Sequence, residues 1–383
     1  MSKTQPESGV HSAGSRAQQP RLTQVDGLRA IAALSVVGFH YTTRYDQIFH
    51  HIEPTYFEVA FGYLGVNLFF AISGFVIYMT LDGISAPLDF VVSRFSRLYP
   101  AYWVAVASTW IVVSLVGLPG YGVRWNEALV NLSMLQSFFS VQDVDRAYWS
   151  LQVELLFYVW MLGLWVTRLL RHSLKIFILW VGMVAAATLA ETFGGIKISY
   201  ALRHFLLLDW IPWFALGIAA YLSLRDRVFK SKHGLLVLIA IFAIAASNRI
   251  VLTMASVVVF ALVWIASREE FKLLEWKPLV FFGVISYPLY LLHEQIGWVI
   301  IACIEARHVT PWLAIIAAFV CVTLLATLLN RLVERPVLSR FRSGYSHSSY
   351  AVAARNFSQA RWAAATFVSI GVMAVCFIVS SRL

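Results

Sequence analysis

Six ionisable side chains fall inside long apolar runs: Arg29, His40, Glu154, Asp209, His293 and Glu294. A charge held in hydrocarbon is costly, so such residues usually face a polar cavity or one another. Their types suit proton transfer. An imidazole titrates near neutral pH and a carboxylate can orient it, so His40, His293 and Glu154 could together take a proton from a hydroxyl. Packing is the plainer account, since an isolated intramembrane histidine is as often a hydrogen-bonded structural residue. Zinc is another use of two histidines and an acid. Here the ligands would come from three separate runs with no close-spaced pair, and no metal is expected.

Arg29 and His40 are eleven residues apart. On a helix this is three turns plus about 20°, which sets both on one face roughly 16 Å apart along the axis. Basic chemistry clusters elsewhere. The stretch Ser93-Arg94-Phe95-Ser96-Arg97-Leu98-Tyr99-Pro100 places two arginines at the mouth of an apolar run. Arginine forks recognise phosphate, although arginines at helix ends also snorkel to lipid headgroups. Arg331 and Arg335 around Glu334-Arg335-Pro336 pose the same choice. Gly62, Gly65 and Gly74, with Ser73, permit close approach of a helix or a ligand, and helix packing is the commoner use. Trp149-Ser150 could anchor a helix at the interface or meet a ligand.

The elements that must position these residues are membrane helices. The 383-residue chain is 60% hydrophobic and only 13% charged. A soluble domain carries roughly 25% charged residues, so this surface cannot face water throughout. Apolar runs of about 18 to 25 residues recur from Gln24 to Val379, each long enough to cross the hydrocarbon. The predicted spans are 23–43, 59–80, 99–117, 148–166, 174–192, 204–222, 234–247, 250–266, 278–301, 311–333 and 363–381. The expected fold is all-α, a polytopic transmembrane bundle of about ten or eleven helices. Residues 1–22 read as a disordered cytoplasmic tail, 23–340 as the transmembrane domain, 341–362 as a cytoplasmic linker and 363–383 as a final transmembrane helix.

With the amino terminus in the cytoplasm, 21 Lys and Arg residues fall on the inner side and eight on the outer, Arg29 lying within the first span. The positive-inside rule selects that orientation. Short basic loops also account for the net charge of +10 through membrane lipids, with no nucleic-acid partner. Cys303, Cys321 and Cys376 lie at or inside apolar runs without CxxC spacing and read as core residues. The first run keeps Arg29 and His40 and lacks a cleavage pattern, so it is expected to remain as a helix.

Six segments, in order across residues 25 to 336, resemble acyltransferase family 3, a group of bacterial membrane O-acyltransferases. They are Val25-Asp26-Gly27-Leu28-Arg29-Ala30 through His40, Gly65-Val66-Asn67-Leu68-Phe69-Phe70-Ala71-Ile72-Ser73-Gly74-Phe75, and Arg94 and Arg97 before Leu98-Tyr99-Pro100. Tyr148-Trp149-Ser150-Leu151-Gln152-Val153-Glu154, Ile285-Ser286-Tyr287-Pro288-Leu289-Tyr290-Leu291-Leu292-His293 and Glu334-Arg335-Pro336 complete the set. Asn67 departs from the pattern, standing where many relatives carry Asp. No extracytoplasmic esterase-like domain follows the last span, so transfer is expected within the membrane.

The resemblance implies a multi-pass enzyme of the bacterial cytoplasmic (inner) membrane. Acyl-coenzyme A, acetyl-coenzyme A foremost, is the implied co-substrate, with no bound cofactor. The implied acceptor is a carbohydrate hydroxyl of lipopolysaccharide, exopolysaccharide or a lipid-linked glycan. On this view His40, Glu154 and Arg29 are catalytic, Arg94, Arg97, Ser73 and Gly74 bind the donor, and Trp149, Ser150, His293 and Asp209 bind the acceptor. His40 would accept the hydroxyl proton or first take the acyl group itself, with Glu154 holding it. A macrolide or other secondary metabolite is an alternative acceptor. A solute or proton-coupled transporter is the alternative from another class, though the chain lacks the repeats common there.

Overall fold

The protein was analysed as a computed structural model that describes residues 22–346. In chain order the helices are α1 (Thr23–Phe39), α2 (Tyr45–Phe49), α3 (Leu64–Gly83), α4 (Pro87–Val116), α5 (Trp125–Asn131), α6 (Trp149–Val166), α7 (Ser173–Gly194) and α8 (Tyr200–Phe205). They continue as α9 (Ile211–Arg225), α10 (Ser231–Ala245), α11 (Ile250–Ser267), α12 (Lys277–Leu292), α13 (Glu294–Glu305), α14 (Pro311–Leu329) and α15 (Arg335–Ser346). Among the described residues there is no strand, as hydrocarbon requires of a chain that must pair its backbone within each segment.

Each predicted span within residues 22–346 contains a helix, and the predicted spans' limits shift for identifiable reasons. Among the described residues, six helices are long and apolar enough to cross a membrane, or seven if the bent pair α12–α13 is one span. Helices α1, α9 and α10, at 17, 15 and 15 residues, are shorter. Helix α4 begins at Pro87, twelve residues before the predicted start at 99. Pro87 suits the first helical turn, and Asp89 accepts the Ala86 N–H at 3.0 Å. Arg94 and Arg97 therefore lie well inside a helix instead of at its mouth. The predicted span 204–222 splits into α8 and α9, leaving Asp209 in the turn between them. Residues 341–346, expected in a linker, continue α15. The expected tail before Leu22, the rest of the linker and the helix 363–381 lie outside the described residues.

Two breaks in helical geometry position the histidines. After α1 the chain makes one π-helical segment, His40–Arg44, before α2. His40 O accepts the π-type bond from the Tyr45 N–H, and the Trp298 indole N–H donates to it as well at 2.8 Å. The predicted span 278–301 is instead bent by 73° at His293. Pro288 lies inside α12, and the groups loosened at the bend find side-chain partners. Tyr148 Oη donates to Leu291 O at 3.0 Å, and the Gln295 N–H donates to Asp145 Oδ2 at 3.1 Å.

Close packing of α1 on α12 and of α3 on α9 forms the centre. A methyl at Gly283 would overlap the Asp26 carbonyl oxygen, and one at Gly217 would overlap that of Ala71. Around this centre, Leu179 of α7, Met254 and Val258 of α11, and Leu313 and Leu324 of α14 point outward and exposed. So continuous an apolar girdle is stable only against lipid.

Candidate active site

The ionisable residues gather in two cavities at opposite ends of α1. The first is narrow, about 80 Å³, and lined by Arg29, Ser73, Arg94, Arg97, Glu154 and Tyr158, among others. Helix α6 supplies a stripe at i, i+4 and i+8, Ser150, Glu154 and Tyr158, which share a face because a helix repeats every 3.6 residues. One Glu154 oxygen accepts both Ser73 Oγ at 2.8 Å and Tyr158 Oη at 2.5 Å. Arg94 and Arg97 are three apart on α4, and Arg94 Nε is buried without a partner. Arg29 approaches Asp26 at 3.6 Å. Three guanidiniums around one lining carboxylate make a cavity that favours an anion.

The second cavity is larger, about 1150 Å³, and holds His40, Glu294, Asn67, Trp149, Asp209 and Trp210 in its wall. Heavy-atom positions fix the imidazole tautomers. His293 Nδ1 lies 2.6 Å from Tyr290 O, which can only accept, so Nδ1 carries the proton and Nε2 a lone pair. His40 Nδ1 lies 2.9 Å from Val36 O and 3.2 Å from that lone pair, so it too must donate. The lone pair of His40 is thereby forced onto Nε2, 3.7 Å from Glu294 Oε2. That oxygen is buried and has no hydrogen-bond partner. A ligand hydroxyl fits the chemistry of both, giving its proton to Nε2 while Glu294 stabilises the resulting imidazolium.

Two loop carboxylates back this arrangement. Asp145 is fully buried, and burial, followed by the neighbouring Glu294 carboxylate, pushes its carboxyl far above the usual range. Its oxygens cap Ala147 N–H at 3.0 Å and Gln295 N–H at 3.1 Å, tying α6 to α13. Asp143 accepts from Gln136 and Gln152, and burial raises it to about 6.

The cavities share two lining residues, Val66 and Tyr290. Tyr290 Oη stands 2.6 Å from Ser150 Oγ, so this pair forms part of the partition.

His40 and His293 thus come together as the sequence suggested, and Trp149 and Asp209 line their cavity. Asp209 is paired with Arg203 at the rim, outside any helix. Other expectations need correction. Glu154 and Arg29 line the arginine cavity and are not beside His40. Residues of separate helices meet only where those helices share depth and facing, and the break of α12 at His293 brings Glu294 to His40 instead. Ser150, expected at the acceptor, lines the arginine cavity as well. Gly74, expected at the donor with Ser73, instead abuts α9, where a methyl would overlap Phe214 O. Gly62 and Gly65 likewise receive the backbone of α1. The carboxylate that does meet His40 is Glu294, legible as an intramembrane acid directly after His293. Asp145 carries no such signal, since an acidic loop residue looks ordinary in sequence. Among the described residues, no three His, Cys, Asp or Glu side chains are grouped to hold a metal ion.

Comparison with known proteins gives the family of the chain. A family model described as an acyltransferase domain matches residues 22–331, so the chain belongs to acyltransferase family 3 and is an acyltransferase. The exopolysaccharide production protein ExoZ of Rhizobium meliloti (strain 1021) is 24% identical over 309 residues, 77% of this chain and 96% of that one. A candidate peptidoglycan O-acetyltransferase of Bacillus subtilis (strain 168), YrhL, is 26% identical over 365 residues, 83% of this chain and 55% of its own length. Acyltransferase MdmB of Streptomyces mycarofaciens is 27% identical over 237 residues, 55% of this chain and 59% of that one. No solved structure gives a significant match.

Proposed function

We propose that the protein carries an acyl group, acetyl first among candidates, from cytoplasmic acyl-coenzyme A to a hydroxyl of a cell-envelope or exported carbohydrate. The observation that carries this reading is the His40 Nε2 lone pair facing Glu294 in a roomy cavity, across a partition from three arginines. Arg29, Arg94 and Arg97 hold the coenzyme A phosphates. The pantetheine arm, about 20 Å when extended, is longer than the helical rise between Arg29 and His40. Tyr290 and Val66 lie where the thioester must pass. The acceptor hydroxyl gives its proton to His40 Nε2 as its oxygen attacks the thioester carbonyl. The carbon–sulfur bond then breaks and the thiolate takes a proton back from the imidazolium. Trp149 offers a face to a sugar ring, and His293 holds the His40 tautomer. Glu154 positions Ser73 and Tyr158 beside the donor.

The carbohydrate acceptor draws support from the names of ExoZ and YrhL. The positive-inside count supports a cytoplasmic amino terminus, and with it an inward-facing arginine cavity, in a bundle of ten or eleven spans in the inner membrane. The test is release of coenzyme A from radiolabelled acetyl-coenzyme A by the purified protein in detergent. Turnover should fall at least 10²-fold in His40→Ala, the lower end of what a general base contributes. Arg94→Ala and Arg97→Ala should raise the donor KM. A folded wild type that neither binds nor turns over acetyl- or succinyl-coenzyme A would end this reading.

A further inference from the structure

The wall of the histidine cavity holds four arginines and four carboxylates, Asp143, Glu191, Asp209 and Glu294, but they are not matched pair for pair. Arg44, Arg146, Arg203 and Arg249 all line it. Arg203 is accounted for, paired with both Glu191 and Asp209. Arg44 and Arg146 have no carboxylate within 4 Å among the described residues, and both are exposed to the cavity. Arg44 donates to the neutral Gln47 Oε1 at 3.2 Å. Arg146 donates to Gly120 O at 3.4 Å, its guanidinium 4.2 Å above the Tyr121 ring.

Both are registered to the base. Arg44 follows His40 by four residues in the same π-helical segment, so it stands about one turn further along nearly the same face. Tyr121, beneath Arg146, packs edge-on to Trp298 at 5.3 Å, and Trp298 holds the His40 carbonyl. Both arginines are near enough to Glu294 and Tyr121 to act on them electrostatically. Arg44, without a carboxylate in ion-pair range, starts about one helical turn, roughly 5 Å, beyond the base, about the width of one sugar ring, and Arg146 lines the same cavity. Lipid headgroups do not explain them, because they face the cavity that contains His40.

Resting on the function proposed above, we infer that the acceptor is an anionic saccharide whose carboxylate or phosphate, about one ring from the acylated hydroxyl, is held by Arg44 and Arg146. The same pair excludes neutral glycans only weakly and draws charged ones in.

Equilibrium binding to the full chain in neutral-lipid nanodiscs tests this without needing turnover. The probes are galacturonate, glucuronate and mannuronate trisaccharides against their methyl esters, and a phosphorylated trisaccharide against its phosphatase-treated form. Wild type should bind at least one charged form ten-fold or more tightly than its neutral twin. Arg44→Gln/Arg146→Gln should erase that difference, while Arg124→Gln, which removes an outer-loop arginine paired with Glu127, should keep it. The difference should also shrink as salt is raised. Equal binding of every charged and neutral pair, or a preference that survives the double substitution, overturns the inference. Charge-selective binding in a protein that never cleaves acyl-coenzyme A would retain the anionic site and remove acyl transfer; turnover without selectivity would do the reverse.

Discussion

In the proposed mechanism, the proton inventory around His40 is what suits it to act as a base. Two backbone carbonyls, at Val36 and Tyr290, can only accept, and they set both imidazoles in a row with the free lone pair at the cavity end. Glu294 and Glu154, both carboxylates on membrane helices, then have separate tasks. Glu154 spends one oxygen on Ser73 and Tyr158, whereas Glu294 keeps Oε2 unpartnered beside His40. Glu294→Gln should lower turnover about 10²-fold with donor KM little changed, the size of a lost electrostatic partner in catalysis. Glu154→Gln should act chiefly on donor KM. Steady-state kinetics with acetyl-coenzyme A as the varied substrate separates the two, and a larger donor KM effect in Glu294→Gln would exchange the roles. The pair of histidines was legible from residue type and position. The identity of their acid was not, because three intramembrane acids compete and only side-chain direction chooses among them.

At the scale of elements, two irregular segments place the base, and each is held by a partner distant in sequence. The π-helical segment is fixed from outside by His51. Its Nδ1 lies 2.6 Å from Glu305 Oε1, and its Nε2 lies 3.0 Å from Tyr41 O, the carbonyl next to His40. The ring is thus held between a carboxylate and a backbone carbonyl. His51 and Glu305 are buried, and removing one partner of a buried pair typically costs about 3–5 kcal/mol. His51→Ala should therefore lower the melting temperature of the detergent-purified protein markedly. It should also reduce turnover in the fraction that remains folded, since the π segment loses its anchor. An unchanged melting curve would show that Trp298 and packing alone hold His40. Period and run length made the helices legible, while the bend at His293 and the π segment were not. Both depend on side chains, Tyr148, Asp145 and Trp298, that arrive from distant parts of the chain to bond backbone groups there.

Across the whole molecule, two cavities of different size and charge approach from opposite ends of α1 and meet at Val66 and Tyr290. That arrangement lets a charged donor and a sugar remain on separate sides while their reacting atoms meet, provided the ends face opposite compartments. Single cysteines at exposed positions test the orientation. Lys232→Cys, in the first turn of α10, should react with a membrane-impermeant maleimide only after cells are opened. Gln142→Cys, in the loop before α6, should react in intact cells. The opposite pattern would invert the topology and exchange the compartments of the two cavities.

What the sequence determined by itself was the solvent and the inventory. Long apolar runs can be satisfied only as helices in lipid, and charge inside such runs demands a polar interior, so the fold class and the chemistry-bearing residues follow from composition and period. Which residue meets which was decided by tertiary structure. The early start of α4, the break at His293 and the glycine contacts of α3 with α1 and α9 set relative depth and rotation, and Glu154 and Ser150 line the arginine cavity away from His40. Depth along a helix can be counted from sequence only when the helix is straight and its ends are known. Here neither condition held, and the backbone groups at the bend are satisfied by partners more than a hundred residues away.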